Sequence, residues 1–439
     1  MIDRRGVLLG GLALAAAPAT ARPASPFVRV DGLRFRRGDA TYPVIGANMW
    51  YAAYLGADRP YGDRARLGRE LDRLRALGVN NVRILGASER SPLKGAVSPT
   101  FRGPGVDYDP GLLGGLDRAL AEIGRRGMTA VIYLNNFWEW SGGMAAYLTY
   151  VNGGRYVEAV DPARPWTDFP DFVAGFYGDK RAVGLANDYI RALVTRTNSV
   201  TGRRYADDPA ITAWQLANEP RPAGTQAVYD RVYPAFLAWI RGNARLVKSL
   251  APNHLVSTGS EGTIGCFQRE DCAVAINATP DIDYVTAHIW PANWGWAKRD
   301  DLAGTYNAGA AKTRGYIDTH VALAKRLKKP LVIEEFGFPR DGGGFAPGGP
   351  TTFRDRYYRL IFDAVAAGAR SGGPLAGANF WAWNGEGRAR HADYRFRPGD
   401  TAYLGDPSHE PQGFYGVFDA DRSTQAIIRD WARAMRRAA

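Results

Sequence analysis

The stretch Ile211-Thr-Ala-Trp-Gln-Leu-Ala-Asn218-Glu219-Pro220 decides the fold. It is a mostly apolar run that stops abruptly on an amide, a carboxylate and a proline. A strand covered by helices on both faces needs such a near-continuous apolar run, as buried parallel strands do. Outward from it, similar runs recur at Tyr42–Met49, Asn80–Gly86, Thr129–Asn135, His254–Ser260, Asp283–Trp290, Pro330–Phe336 and Gly377–Trp383. Amphipathic stretches lie between them. In Arg66–Gly78 the residues Leu67, Leu71, Leu74 and Leu77 recur at helical spacing, and Gly78 ends the pattern. Tyr229–Leu250, Thr313–Lys328 and Phe353–Ala367 read the same way. Eight strands alternating with helices predict one α/β domain, a (β/α)8 TIM barrel over residues 27–439, in preference to a doubly wound sheet. The spacing is uneven. Surplus chain lies in Asn136–Lys180 after strand three and in Gly385–Gly416 after strand eight. Both leave C-terminal strand ends, the face on which such barrels build active sites.

The rest of the chain narrows the class. Of 439 residues, 46% are apolar and 23% charged, an ordinary globular balance that excludes disorder. The net charge of +12 comes mostly from 48 Arg, with only 8 Lys. The basic residues are dispersed. Their longest cluster, Lys325–Lys329, ends a helical pattern, where cations complement the helix dipole. No nucleic-acid motif accompanies them, so no nucleic-acid partner is expected. Residues 1–26 read as a removable leader: Arg4-Arg5, then an apolar run from Gly6 to about Thr20, then Ala19-Thr20-Ala21. The paired arginines resemble a twin-arginine export signal, and the run is short for a membrane span of ~20 residues. The expectation is an exported protein, periplasmic or extracellular, with no membrane segment after cleavage. Export permits a disulfide. Cys266 and Cys272 are close enough for a local pin, two free thiols being the alternative, and no zinc spacing surrounds them.

The chemistry gathers at strand ends. Strand two carries Arg83, strand three runs into Asn135-Asn136-Phe-Trp138-Glu139-Trp140, and strand four ends in Asn218-Glu219-Pro220. Strand six ends in His288-Ile-Trp290, strand seven in Glu334-Glu335-Phe336-Gly337, and strand eight in Trp381-Ala-Trp383. A carboxylate at the end of an apolar strand is costly unless paired or functional, and strands four and seven each bring one to the same face. Two carboxylates across a cleft are what glycoside hydrolysis needs: one nucleophile and one acid/base. His288 and Arg83 can tune them. Tryptophan faces suit sugar rings, with their apolar C–H faces and polar rims. Singly, each residue has a structural reading: Asn-Glu-Pro as a helix start, His288 as a hydrogen-bonded strand end, Trp381 and Trp383 as core filling. Their joint occurrence at successive strand ends favours function.

The order Arg, Asn-Glu-Pro, His, Glu-Phe-Gly and Trp resembles glycoside hydrolase family 5, retaining glycosidases of (β/α)8 fold. Ala47–Tyr51, Asn135–Gly143, His288–Pro291 and Phe380–Trp383 resemble the endo-β-1,4-mannanases of that family. The resemblance implies Glu219 as acid/base, Glu335 as nucleophile, Asn218 at the sugar 2-hydroxyl, Arg83 holding the nucleophile ionised, and His288 beside the acid/base. It implies Trp381 as an aromatic platform, with Trp383 a second candidate and Trp50, Trp138 and Trp290 as further substrate contacts. Strand alternation lets only one of Glu334 and Glu335 face the cleft; the Glu-Phe-Gly pattern selects Glu335, so Glu334 is expected to point outward and pair. Trp290 stands where many members have a Tyr that donates to the nucleophile, so Tyr51 or Tyr54 is the candidate substitute. The expected reaction is hydrolysis of mannan, glucomannan or galactomannan by a monomer needing no cofactor or metal. A β-glucanase of the same family and a non-catalytic carbohydrate-binding barrel are the alternatives.

Overall fold

The computed structural model describes residues 25–438, and the 1–24 portion of the leader lies outside them. The eight barrel strands are Val44–Asn48, Asn81–Leu85, Thr129–Tyr133, Ile211–Gln215, Leu255–Ser257, Val285–Ile289, Leu331–Phe336 and Leu375–Phe380. Each falls within or overlaps one of the eight apolar runs, and every residue in them is buried. All neighbours in this sheet pair in parallel. Strand eight returns to strand one, with Gly377 opposite Val44. A Cβ on Gly377 would stand 2.1 Å from the Val44 carbonyl oxygen, so only glycine allows the two strands to close. Between strands five and six the circle is joined by Asp283 N donating to Val256 O (2.8 Å) and His288 N to Glu261 O (3.0 Å). The fold is a (β/α)8 barrel.

The helices form where the periodicity places them, with shifted ends. Arg64–Leu77 starts on Asp63, whose side chain accepts from Arg66 N, and stops at Gly78 with φ +93°. The helix expected from Thr313 begins at Leu302, capped by Asp301. Its first turns, Leu-Ala-Gly-Thr-Tyr-Asn-Ala-Gly-Ala-Ala, are rich in small residues, and their buried stripe of Leu302, Tyr306 and Ala310 is thin. The Lys325–Lys329 cluster serves that helix's end. Lys328 takes the left-handed cap, and Lys329 Nζ donates to the carbonyls of Asn277 (2.5 Å) and Thr279 (2.9 Å).

Two features were not legible in the run pattern. An antiparallel sheet of Val28–Asp31, Arg34–Arg37 and Ala40–Thr41 precedes the barrel. Its Val28 and Phe35 pack with Tyr42, Val131, Leu255, Tyr284 and Val332, near the starts of the strands, and so plug the end opposite the active face. Strand eight also stops at Phe380. Trp383–Gly385 is a separate strand paired with Val417–Phe418, and this ribbon anchors the long connection after strand eight. The connection after strand three folds into short helices, including Glu139–Ser141, Gly143–Val151 and Asp168–Ala174. Among the described residues no helix is long and apolar enough to cross a membrane.

Candidate active site

The C-terminal strand ends surround a cavity of about 520 Å³ lined by Trp138, Asn218, Glu219, Trp290, Glu335 and Trp381, among others. Glu219 sits just past strand four at φ +50°, a conformation that a residue with a side chain seldom adopts. Its amide donates to Gly259 O (2.9 Å), which ties it to strand five. Its carboxylate accepts from Trp138 Nε1 (2.5 Å) and lies 2.7 Å from His288 Nδ1. Glu335 pairs with Arg83, and its other oxygen lies 3.2 Å from the same His288 nitrogen. One oxygen from each glutamate and one nitrogen of His288 lie within 4.8 Å of one another.

Arg83 is fully buried in strand two and fans out to three further acceptors. Nε donates to Gln215 Oε1 (2.7 Å), Nη1 to Asn48 Oδ1 (3.1 Å) and Nη2 to Asn218 Oδ1 (2.8 Å). The guanidinium also stacks on Tyr133, 4.5 Å from the ring centre. Burial opposes its charge, but Glu335 and Glu334 outweigh that and raise its pKa. Asn218 is itself fixed, with Nδ2 donating to Asn136 Oδ1 (3.1 Å).

His288 is buried, which opposes protonation, yet Glu335 and Glu219 outweigh this and push its pKa up. Glu219 shows the reverse balance. Burial would raise it, but donation from His288, aided by Arg221 and Trp138, brings it below the ordinary carboxylate range. Both directions agree with His288 Nδ1 donating to Glu219. Three acid–base groups in this spacing resemble a metal cage. The Arg83 cation already pairs with Glu335 there, which disfavours a divalent ion.

Several sequence expectations need correction. Glu334 does not point outward. A bulge between Ile333 and Glu335, where strand seven meets strand six, turns both glutamates into the barrel. Glu334 accepts from Gln215 Nε2 and from Tyr284 OH (3.0 Å), one layer below the cavity. Trp383 lies outside the cavity lining: it is fully buried, and its Nε1 donates to Glu70 Oε2 (2.8 Å). Trp50 is also buried, edge-on to Trp140, Tyr51, Tyr54 and Tyr403. Neither Tyr51 nor Tyr54 faces Glu335. Tyr51 OH donates to Trp383 O (2.8 Å), and Tyr54 OH bonds Ser88 and Pro99 O. Beside Arg83, the charged neighbour of Glu335 is His288, whose Nδ1 lies 3.2 Å away. Trp290 and Trp381 meet edge-to-face at 5.9 Å and wall the cavity. Cys266 and Cys272 are two free, buried thiols rather than a pin, and burial raises the Cys266 thiol pKa.

Other lining residues escaped sequence reasoning. Arg221 follows the Asn-Glu-Pro motif, pairs with Glu261 (2.6 Å) and lies over Trp138 at 5.1 Å. Its place directly after Pro220 was a usable signal. Glu139, His409 and Glu410 come from the two long connections. His409 Nδ1 meets Glu139 Oε1 at 2.8 Å, and burial pushes Glu410 up to about 8. Nothing in the local sequence announced that these loops meet.

Comparison with known proteins agrees with this arrangement. A family model described as family 5 β-mannosidase-like glycoside hydrolases matches residues 25–439. A putative mannan endo-1,4-β-mannosidase 9 of Oryza sativa subsp. japonica is 31% identical over 81% of each chain. The crystal structure of a family 5 mannosidase from Rhizomucor miehei superposes with a TM-score of 0.85 at 32% identity, covering 94% of this chain and 98% of that one. An endo-1,4-β-mannanase from the same fungus shares the fold, with a TM-score of 0.69 at 22% identity. The chain belongs to glycoside hydrolase family 5, in its β-mannosidase-like group.

Proposed function

We propose that this glycoside hydrolase cleaves β-1,4-mannosidic bonds in mannan, glucomannan or galactomannan, internally and with retained configuration. The observation that carries the reading is the approach of the Glu219 and Glu335 oxygens to within 4.8 Å. Retaining glycosidases hold their carboxyl groups ~5–5.5 Å apart, and inverting ones hold them wider to admit water. The bond class comes from the relatives named mannan endo-1,4-β-mannosidases.

In the proposed mechanism Glu335, kept anionic by Arg83, attacks the anomeric carbon and the leaving sugar departs with a proton from Glu219. In the proposed resting state that proton is on His288 Nδ1, 2.7 Å from Glu219 Oε1. Substrate that expels water and covers Glu219 makes its charge costlier, so the proton crosses to the carboxylate. Glu335 becomes an ester, and Glu219, again anionic, takes a proton from the water that hydrolyses it. Trp290 and Trp381 flank the sugar.

A second reading, trimming from one chain end, is favoured by the bridge that closes part of the cleft. The connection after strand eight reaches that after strand three through His409–Glu139 and through Ser408 Oγ donating to Trp140 O (3.3 Å). Product analysis on mannohexaose separates the two. A ladder of oligomers supports internal cleavage, mannose alone supports trimming, and activity on cellulose but not galactomannan sinks both. Glu335→Ala and Glu219→Ala are expected to abolish hydrolysis. We further propose that the chain works outside the cytoplasm as a monomer after losing its leader; intact-mass measurement and light scattering of the exported protein test this.

A further inference from the structure

We propose that Asn136 is a positioning residue for the reaction: its side-chain amide holds Trp138 on Glu219 and locks Asn218 in a single orientation. The proposal rests on the functional reading above. Asn136 is fully buried and lies outside the cavity lining, so it acts through its neighbours. The backbone brings it there. Asn136 bridges Asn218 past the ends of strands three and four, with Asn218 N donating to Asn135 O (2.8 Å) and Phe137 N to Asn218 O (2.9 Å). The chain then doubles back through Glu139–Ser141, and Met144 N donates to Asn136 O (2.8 Å). The return needs glycine. Gly143 takes φ +59°, and a Cβ there would stand 2.2 Å from that same oxygen.

Donor and acceptor chemistry fixes how the two amides face. Arg83 can only donate, so Asn218 turns its oxygen to Arg83 Nη2 and its nitrogen to Asn136. Trp138 N also only donates. Asn136 Oδ1 therefore accepts from both Trp138 N (3.1 Å) and Asn218 Nδ2 (3.1 Å), and its Nδ2 is left to donate to Ser141 Oγ (3.0 Å). Two effects reach the glutamates. The bond to Trp138 N holds the residue whose Nε1 donates to Glu219 Oε2 (2.5 Å), a donation that favours the anion. The bond to Asn218 Nδ2 keeps that amide from turning, so its oxygen stays on Arg83, the partner of Glu335. One buried amide thus sets the surroundings of both carboxylates.

The test is the pH dependence of kcat on mannohexaose. Asn136→Ala frees Trp138, so the Glu219 anion loses a donor and the basic limb is expected to move up, in the direction of Trp138→Phe. Its kcat is expected to fall about a hundredfold, as for a catalytic group misplaced by about 1 Å. Introduced into Trp138→Phe, the same change is expected to move the limb no further, because residues that share one interaction are not additive. Ser141→Ala removes a single buried oxygen and lets the Asn136 amide turn. It is expected to shift the limb the same way by less, and it serves where Asn136→Ala does not fold. A merely structural role would lower the folded fraction and leave the limb where it is. A limb that stays in place in the folded single variants, or a double variant whose shift equals the sum of the two, overturns the proposal. A parent enzyme that leaves mannohexaose uncut overturns the functional reading instead.

Discussion

Glu219 is held by several independent constraints. Its left-handed backbone, the amide tie to Gly259 and two side-chain donors fix its carboxylate before any substrate arrives. Those donors stabilise the anion, which an acid catalyst must give up. Trp138→Phe removes one donor and keeps the ring against Phe169 and Arg221. A hydrogen bond to a charged group contributes about 1.5–3 kcal/mol, so the basic limb of the kcat profile, which reports the substrate complex in which Glu219 holds the proton, is expected to move up by about one pH unit, at 1.36 kcal/mol per pKa unit. A limb that stays in place would show that Glu219 does not govern it. Arg83 is the second test. Its planar fork serves four acceptors at once, which the single ammonium of lysine cannot reproduce. Arg83→Lys is expected to lower kcat about a hundredfold, the factor that ~3 kcal/mol of lost charged hydrogen bonding carries, with little change in KM.

At the scale of elements, the barrel was readable because parallel strands must be apolar on both faces, and the ends of those runs told which residues reach the active face. That logic located Glu219, Glu335, His288 and Arg83. It failed where local geometry departs from the regular strand. The bulge in strand seven turned Glu334 inward, and the early stop of strand eight took Trp383 out of the cavity. A tryptophan's number along the chain does not say whether its ring faces sugar or protein, which is why Trp50 read as a substrate contact and is packed against Trp140. The N-terminal sheet was missed because its strands are two to four residues long and carry Arg29, Arg34, Arg36 and Arg37. Its work is nonetheless testable. Phe35 is 2% exposed and meets Tyr284 edge-on at 5.5 Å beneath the barrel. Phe35→Ala is expected to cost about 3–5 kcal/mol of stability, read by urea unfolding, while kcat/KM at low temperature holds. A matching loss of activity in the folded protein would place the sheet in the catalytic machinery.

Across the whole molecule, buried ionisable groups set how stability responds to pH. His288 has a raised folded pKa, so its contribution is complete below its ordinary value of 6.5 and is lost as pH rises through the folded value. Glu219 has a depressed folded pKa, so its contribution is complete above 4.5 and is lost as pH falls through the folded value. Both are fully present between pH 4.5 and 6.5. Glu89 reinforces the alkaline side. It is buried beneath the connection after strand three, where it accepts from Gly143 N (2.8 Å), and burial raises its pKa to about 7. Its protonated form favours the folded state, so stability falls as pH climbs from 4.5 through 7. Thermal unfolding followed by circular dichroism is therefore expected to give the highest Tm near pH 5–6, with a decline toward pH 9. Glu89→Gln keeps an acceptor for Gly143 but cannot ionise, so its Tm is expected to gain on the parent at pH 8 and not at pH 5. His288→Gln removes a second alkaline contribution and should flatten the decline further, leaving those of Glu261 and Glu410, which burial also raises. If both variants follow the parent curve in parallel, these buried groups do not control the response.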